Sequence, residues 1–266
     1  MRGISKSIFV VAIMFLSFMF LSQTRADVVQ ADTTSIYTAL NRDAVPIIID
    51  ANFDDWNTAK NVLEMGENTW EPLGGTWDGP DDLTADLRIL WDKDNLYFAL
   101  QVKDDEYVAE GGGFWENDGP QMAIDTSAGT IPAGWPNATT HLYNFSIKDG
   151  WNKETGPFLG DAEIKMKRDD ATKQNLFEWR MPVGIIAASG TELTAGKEIA
   201  FAIIANDSDL NAKGQTGWVG WGSHTIVYGK NPEEMKTIIL SDESIGVSSA
   251  VKSTGKLTTF WGAIKQ

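Results

Sequence analysis

The sequence predicts an all-β protein, an antiparallel β-sandwich of jelly-roll or immunoglobulin-like type with short helices at most after its first 26 residues. Three observations predict this class. Short segments that alternate apolar and polar residues recur along the chain, clusters of Gly, Asn, Asp and Pro separate them, and helical periodicity is nearly absent. Only residues 183–189 are expected to form a short helical turn.

The first element, residues 1–26, is predicted to be a signal peptide. Arg2 and Lys6 form a basic start, residues 8–21 are apolar, and Ala26 is a small residue at a suitable cleavage point. A membrane-spanning helix needs about 20 apolar residues, so this run is too short for a permanent span. We therefore expect a secreted, periplasmic or cell-surface protein with no transmembrane span in its mature chain.

The rest of the chain divides into three parts. Residues 27–44 are polar and aperiodic, which predicts a flexible lead-in. Residues 45–240 contain the strand-like segments and are expected to form the sandwich. Residues 241–266 begin with a Ser-rich linker and end in a C-terminal tail that is expected to lie apart from the sandwich.

A β-hairpin is the clearest strand prediction within the sandwich. Ala85, Leu87, Ile89 and Trp91 alternate with polar residues, a polar turn follows, and the alternation resumes over residues 96–102. The segment 197–205 is apolar on both faces, which is typical of a central strand. Further strands are predicted at 119–126, 139–148, 162–168, 174–182 and 235–240.

Charge and cysteine content exclude several classes of function. The net charge is -15, and the predicted signal peptide contributes only basic residues, so the mature chain is more acidic still. Such a surface repels phosphate backbones, so we expect no nucleic-acid partner, whereas neutral ligands and cations remain. The chain has no cysteine, so its stability depends on a packed core rather than on disulfides.

The eleven tryptophans are the strongest compositional signal. Trp56, Trp91 and Trp179 follow core patterns and are expected to pack inside the protein. The others that draw attention lie in Gly-, Pro- or Asn-rich segments, where ligands are usually met: Trp70, Trp77, Trp115, Trp135, Trp151, Trp218 and Trp221.

An indole face suits the apolar face of a pyranose ring. One such contact buries on the order of 100 Å² and contributes about 2.5 kcal/mol, whereas association costs about 4 kcal/mol or more. A sugar site therefore needs a second aromatic side chain and several hydrogen bonds.

The stretch WENDGPQMAID, residues 115–125, predicts a loop that runs into a strand. If Pro120 begins the strand, Met122 and Ile124 share the face that suits the core. Gln121 then lies on the opposite face, within reach of a ligand beside Trp115. The acids of the stretch are expected at the rim of such a site rather than as proton donors.

Five segments stand in order between Pro46 and Leu240: IIIDANFDDWNTA, ADLRILWDKDNLYFALQVKDDE, WENDGPQMAID, FEWRMPV and IAFAIIANDSD. Together they resemble the family 9 carbohydrate-binding modules, which belong to a wider group of β-sandwich domains that includes haem-binding domains. The resemblance implies an exported, non-catalytic domain that holds a saccharide between two aromatic side chains, often with structural calcium, and that accompanies enzymes of polysaccharide degradation.

The resemblance also implies roles for single residues. Trp115 matches the first clamp tryptophan, and Gln121 falls where a hydroxyl-binding glutamate is usual. The second wall is expected at Tyr228 or Trp221. The family's arginine is replaced near Tyr143, and Ile204 occupies a position that is polar in the family. The remaining candidates for the polar rim are Asn117, Asp118 and Asn206.

The sequence also contains candidate ligands for a metal ion and for haem. Calcium ligands are predicted among Asp50, Asp54, Asp104 and Asp105, with solvated turns as the alternative. Haem would need two axial ligands from Met122, His141 and His224, and we do not expect it because the chain contains no haem-attachment motif.

The resemblance implies no catalytic carboxylate pair, so any action on O-glycosyl bonds would come from a partner glycoside hydrolase. Two alternatives to a sugar-binding protein remain: a haem-binding electron-transfer domain, and a surface adhesion or scaffolding protein that has lost the sugar site.

Overall fold

A computed structural model describes residues 27–245 except 44, 127–139, 158, 187–191, 210–213 and 229. The predicted signal peptide, most of the predicted tail, Trp135 and Trp261 lie outside the described residues. The described strands are β1 (Asp27–Gln30), β2 (Ile36–Asn41), β3 (Asn61–Met65), β4 (Trp70–Pro72), β5 (Leu83–Trp91), β6 (Asn95–Asp104), β7 (Gly119–Asp125), β8 (His141–Ser146), β9 (Gly150–Thr155), β10 (Glu163–Asp169), β11 (Gln174–Pro182), β12 (Glu198–Asp207), β13 (Gly217–Trp221) and β14 (Lys236–Ser244).

Helices are short in the described residues, as the sequence predicts. The α-helix α1 covers Val183–Ile186, inside the segment expected to form a turn. The 3-10 helices cover Asp54–Thr58, Glu67–Thr69, Phe114–Glu116, Ser223–Thr225 and Pro232–Glu234.

The strands form two layers that share one hydrogen-bonded ladder. The strand order is β10-β11-β6-β5-β2-β14-β12-β7-β8-β9, with β1, β3, β4 and β13 attached beside this path. Aromatic rings from β6 and β11 stack on rings from the distant strands β12 and β8. Phe98 lies 5.7 Å from Phe201, and Phe145 lies 5.1 Å from Trp179. The ladder therefore folds over near β2 into a sandwich, which confirms the predicted fold class.

The predicted hairpin and central strand are present. β5 and β6 pair antiparallel from Leu83–Asp104 to Trp91–Leu96. β12 lies between β7 on one side and β13 and β14 on the other, and both of its faces are apolar and covered. Trp56 and Trp179 are fully buried and Trp91 is nearly so, which confirms the packing role predicted for these three residues.

The prediction of a flexible lead-in at 27–44 is wrong for its strands. β2 pairs parallel with β14 and with β5, and Tyr37 and Ala39 on β2 are buried in the main core. The sandwich also extends past residue 240, because β14 continues to Ser244 and Ile245 packs in one cluster with Leu90 of β5 and Tyr97 of β6. The sequence pattern missed β2 because its partners lie some 50 and 200 residues further along the chain.

Candidate functional site

A groove of about 640 Å³ opens on the outer face of the layer that contains β7, β8 and β12. Its floor continues an apolar patch that includes Ala123, Ile204 and Trp218. Among the described residues, Trp115 and Tyr228 are the aromatic side chains most open to solvent, at 47% and 55% exposed, and both line this groove. The full lining is Leu73, Trp115, Gln121, Glu154, Gln215, Trp218, Ile226, Val227, Tyr228 and Lys230.

Trp115 stands on the short 3-10 helix Phe114–Glu116, which leads into β7. A Cβ on Gly113 would lie 2.9 Å from the Trp115 ring, so only glycine lets the indole lie against this backbone. The Gly113 amide donates to Glu116 Oε2 at 2.8 Å, and Ser208 Oγ donates to the Glu116 carbonyl at 3.1 Å. These bonds hold the helix that presents Trp115.

Asn206, predicted at the sugar rim, lies beneath the groove and is buried. Its Nδ2 donates to the carbonyl oxygens of Trp115 at 3.2 Å and of Asn117 at 3.3 Å. Its Oδ1 accepts from Gln121 Nε2 at 3.1 Å and from Gln215 Nε2 at 2.7 Å. The rim prediction is therefore wrong for Asn206, which supports the residues of the site from behind.

Asn117 and Asp118 are buried as well and, unlike the similarly buried Gln121, do not line the groove, so the rim prediction is wrong for both. Asn117 Oδ1 accepts from the Gly111 amide at 2.8 Å, and Asp118 Oδ2 accepts from the Val108 amide. Both side chains bond the start of the Trp115 loop to its end. Polar residues beside a clamp aromatic can equally fold the loop that carries it, and the sequence alone did not separate these two roles.

Tyr228 forms the opposite wall from a turn with unusual backbone geometry. Tyr228 and Lys230 have φ of 47° and 53°, in the left-handed region that non-glycine residues seldom occupy. The Tyr228 hydroxyl donates to the Pro72 carbonyl at 3.3 Å, and its ring meets Trp218 edge-on at 5.1 Å. Lys230 Nζ forms a salt bridge with Glu154 on β9, which closes that side of the groove.

The other candidate for the second wall, Trp221, is buried in the core. Its indole nitrogen donates to the Thr34 carbonyl at 2.8 Å, and its ring packs near Phe201. Side chains alternate between the two faces of a strand, so Trp218 and Trp221, three positions apart on β13, lie on opposite faces. Trp218 lies on the groove side and Trp221 in the core. The prediction of Trp221 as a wall is wrong, and Tyr228 is the aromatic that faces the groove with Trp115.

Tyr143 is also buried in the core, with its hydroxyl donating to the Pro157 carbonyl at 3.3 Å, so it is not a rim residue. Its neighbour Asn144 pairs in register with Gln121 and therefore shares the groove side of the sheet. Asn144 Nδ2 donates to Asn152 Oδ1 at 2.8 Å, while Asn144 Oδ1 has no partner in the described residues. A one-residue shift in strand phase would have identified Asn144 from sequence.

A second group of polar side chains gathers where β6 and β12 end and β5 and β7 begin. Carboxylate oxygens of Asp82, Asp207 and Asp209 lie within 4.8 Å of one another. Burial raises the pKa of Asp104 to about 7 although Arg168 opposes this shift, and burial raises the pKa of Asp207 to about 7. Burial and the nearby Asp104 raise the pKa of Asp118 well above its ordinary value.

This acidic group suits a hard cation. Calcium prefers carboxylate and carbonyl oxygens, and a divalent charge would offset both the burial and the mutual repulsion that raise the pKa of these carboxyls. Asp118 Oδ1 is buried and has no hydrogen-bond partner in the described residues. Removing such an oxygen from water costs free energy that no hydrogen bond from the described residues compensates, and a bound cation would compensate it. The residues present therefore fit a calcium ion.

The predicted calcium ligands divide between two places. Asp104 belongs to the buried acidic group, and Asp105 is exposed beside it. Asp50 and Asp54 lie elsewhere: Asp50 Oδ1 accepts from the Asn52 amide at 2.8 Å, and Asp54 Oδ2 accepts from Asn52 Nδ2 at 3.2 Å. Within the described residues, the three-carboxylate group that meets a metal's spacing includes none of the four predicted ligands.

The three candidate haem ligands do not converge. Met122 and His141 lie on the core side of β7 and β8. His224 lies on the groove side, where its Nε2 bonds Glu71 Oε2 at 2.7 Å and its ring lies 6.1 Å from that of Tyr228. The sheet therefore separates His224 from the other two candidates.

The fold and the groove define a β-sandwich protein with an open, aromatic-walled binding surface on one sheet. The family model described as carbohydrate family 9 binding domain-like matches residues 48–243. The chain belongs to this family, and the resemblance stated from its sequence is confirmed. None of the helices in the described residues is long and apolar enough to cross a membrane.

Solved structures of the family share the fold. A family 9 carbohydrate-binding module from Caldicellulosiruptor kristjanssonii is similar in two structures, at 16% sequence identity in both. The complex with glucose gives a TM-score of 0.61 over 80% of this chain and 99% of that one, and the complex with cellotriose gives 0.62 over 83% and 100%.

Longer relatives match only in part. Endo-1,4-beta-xylanase A of Thermotoga maritima (strain ATCC 43589 / DSM 3109 / JCM 10099 / NBRC 100826 / MSB8) is 23% identical over 73% of this chain. The xylanase of the same name from Thermotoga neapolitana is 33% identical over 29% of it. The chain spans 17% and 7% of the length of these two enzymes.

Proposed function

We propose that the protein binds a saccharide non-covalently in the groove between Trp115 and Tyr228. The observation that carries this proposal is the pair of half-exposed aromatic rings on one groove, in a protein whose other described aromatic side chains are buried or partly buried. Exposed aromatics of this kind mark binding surfaces, because leaving them in water forgoes about 1.5–3 kcal/mol each.

The groove offers both parts of sugar recognition. The rings of Trp115 and Tyr228 can cover the apolar faces of a pyranose, and the amides of Gln121 and Gln215 can bond its hydroxyls. Two aromatic contacts and several hydrogen bonds together give about micromolar affinity once the cost of association is subtracted. The described lining includes no uncompensated charge, since Glu154 is paired with Lys230, and this favours a neutral sugar.

The relatives suggest the class of sugar and the setting. The solved family members bind glucose and cellotriose, and the longer relatives are xylanases, so we infer a neutral plant-type glycan as ligand. We further propose that the protein is exported, is not itself an enzyme, and serves carbohydrate catabolism beside a glycoside hydrolase. The acidic composition and the signal-peptide pattern of residues 1–26 support export.

Calcium is proposed as a structural ion at Asp82, Asp207 and Asp209, with Asp104 and Asp118 close by. Bound there, it would supply positive charge to carboxyls that repel one another, and it would stabilise the ends of β6 and β12. This role is separate from the groove, which lies on the outer face of the sheet.

Isothermal titration calorimetry of the protein with glucose and cellotriose tests the proposal. We expect binding by the unmodified protein and a loss of at least tenfold in affinity for Trp115→Ala. Ile48→Ala removes an apolar side chain that is also exposed but lies outside the groove, and it should leave the affinity unchanged. Absence of binding across a wider panel of neutral oligosaccharides would contradict the proposal and favour the adhesion or scaffolding alternative.

A further inference from the structure

The Asn206 side chain uses all of its hydrogen-bonding capacity beneath the groove. Its two N–H groups point to the carbonyl oxygens of Trp115 and Asn117, and its Oδ1 accepts from the Nε2 atoms of Gln121 and Gln215. An asparagine side chain has two N–H donors and two lone pairs on its oxygen. These four bonds therefore link the Trp115 loop, β7 and the segment before β13 through one buried amide.

The direction of this network is fixed by the backbone. Carbonyl oxygens only accept, so the Asn206 edge that faces Trp115 and Asn117 must be its NH₂ group. Rotating the amide by half a turn would place Oδ1 against two carbonyl oxygens at 3.2 and 3.3 Å, in a buried setting where such unpaired acceptors are costly. Oδ1 therefore faces the two glutamines.

Each glutamine is oriented in turn. Because Asn206 presents oxygen to them, Gln121 and Gln215 must both direct their NH₂ groups inward, and their Oε1 atoms point away from Asn206. Neither Oε1 accepts a hydrogen bond in the described part of the chain, and both residues line the groove. One N–H of each glutamine is used on Asn206 and one N–H remains, but the bond to Asn206 fixes where each Oε1 lies. A ligand group that meets either Oε1 must therefore donate.

We propose that Asn206 is a positioning residue that sets the polarity of the site: it turns the carbonyl oxygens of Gln121 and Gln215 toward the groove and so selects ligands that donate two hydrogen bonds. The inference deepens the proposed saccharide function and rests on it for the identity of the ligand. The chemical class it selects is a neutral polyol whose hydroxyls donate at two positions, rather than one that accepts there.

The orientation is tested without any sugar. In NMR spectra of the ¹⁵N,¹³C-labelled protein, we expect the side-chain NH₂ groups of Gln121 and Gln215 to show hydrogen-bond scalar couplings to the Asn206 side-chain carbonyl carbon. Their inward protons should also exchange slowly with solvent. Couplings in the opposite direction, from the Asn206 NH₂ group to the two glutamine carbonyls, would overturn the proposal.

The selection is tested with glucose analogues. At each hydroxyl that meets the acceptor pair, replacement by hydrogen and replacement by fluorine should both weaken binding, by about tenfold each, because fluorine cannot donate. Fluoro analogues that keep the full affinity of glucose at every ring position would contradict the proposal. If no sugar of the wider panel binds, the proposed function fails, while the NMR result still decides the orientation.

A variant separates positioning from simple structural support. Asn206→Leu keeps a similar volume but frees both glutamine amides, so the site should accept fluoro analogues more nearly as well as glucose. An unchanged preference for donating hydroxyls in the folded variant would show that Asn206 does not set the polarity. If the variant does not fold, the NMR couplings and the analogue series on the unmodified protein still decide the matter.

Discussion

The two walls of the groove are built in different ways. Trp115 stands on a loop whose backbone is bonded to β12 by Asn206 and Ser208 and closed by Asn117. Tyr228 stands on a tight turn with left-handed residues. Its side chain is held by a hydroxyl bond to Pro72 and by edge contacts with Trp218 and His224, and backbone hydrogen bonds and the Lys230 salt bridge hold the turn. The Trp115 wall is thus part of the sandwich, whereas the Tyr228 wall is an addition to its surface.

This difference suggests a division of labour. A wall tied to the sheet by buried bonds keeps its position whether or not a ligand is present, and it can set the plane of a stacked ring. A wall on a strained surface turn depends on a few exposed contacts, and small changes there alter the width of the groove. Affinity should therefore depend strongly on Trp115, and the choice among ligands of different thickness should depend on Tyr228.

The acidic group beneath the Trp115 loop should give the largest effect. Calcium at about 100 times its dissociation constant adds about 2.7 kcal/mol to stability, which raises the melting temperature by about 5–10 °C in a domain of this size. Calorimetric unfolding with calcium and with a chelator measures it. Asp207→Asn should abolish the response and Asp54→Asn should retain it; a response lost only in Asp54→Asn would favour the ligands predicted from sequence.

The same group gives stability a defined dependence on pH when no divalent ion is present. Asp104 and Asp207 have native pKa values of about 7, so between about pH 4 and pH 7 the native state binds more protons than the unfolded state. The free energy of unfolding should therefore fall as pH rises through this window, and calcium should remove the fall. Chemical denaturation at several pH values would show it, and a rise in chelator would contradict the assignment.

Removing the fixed wall should cost the most affinity. Trp115→Ala deletes a contact of about 100 Å², worth about 2.5 kcal/mol, so the dissociation constant for cellotriose should rise by a factor between ten and a hundred. Trp115→Phe keeps a ring at the same place and should recover part of the loss. Equal affinities for the alanine variant and the unmodified protein would move the site away from this groove.

The turn wall should matter less. Tyr228→Ala is expected to weaken binding by about tenfold, because the ring is smaller and already contacts Trp218 on one edge. Tyr228→Phe loses only the bond to Pro72, so its affinity measured by titration calorimetry should lie between those of the unmodified protein and of Tyr228→Ala. Both variants keep a Cβ on the same left-handed backbone, so strain does not differ between them. A larger loss than for Trp115→Ala would reverse the proposed ranking of the walls.

The smallest effect is expected from the salt bridge at the groove edge. Lys230 and Glu154 are partly exposed, and pairs of this kind contribute about 0.2–1 kcal/mol. Lys230→Met should change the affinity for cellotriose by about two- to fivefold and reduce its dependence on salt. Lys93→Met breaks an exposed pair with Asp94 that does not line the groove, so it should change neither the affinity nor its dependence on salt.

The sequence predicted those strands whose side chains alternate between a covered and an open face, such as β5 and β6. It missed β13, because GWVGW has no alternation and its glycines and tryptophans read as loop. It also missed β2, whose two partner strands are distant and parallel to it. Local patterns report local burial, whereas pairing between distant segments leaves little trace in either one.

The site was predictable to the same extent. Trp115, Gln121 and Tyr228 were identified and lie on one groove, because loop aromatics and strand phase are local properties. Of the acidic group only Asp104 was predicted as a calcium ligand, since Asp82 and Asp207 meet only when β5 and β12 are packed. Asn206 was noticed for its polarity, but its role depends on four atoms from other segments.

One end of the strand order has a further consequence, for solubility. β10 pairs only with β11 among the described strands, so its other edge offers unpaired backbone groups to any extended chain. Its sequence, EIKMKRD, carries two exposed lysines, Lys165 and Lys167, whereas Arg168 is largely buried and paired with acids. A second copy approaching edge to edge would meet the same positive charges, which disfavours joining the two sheets into a longer one and protects the protein against aggregation.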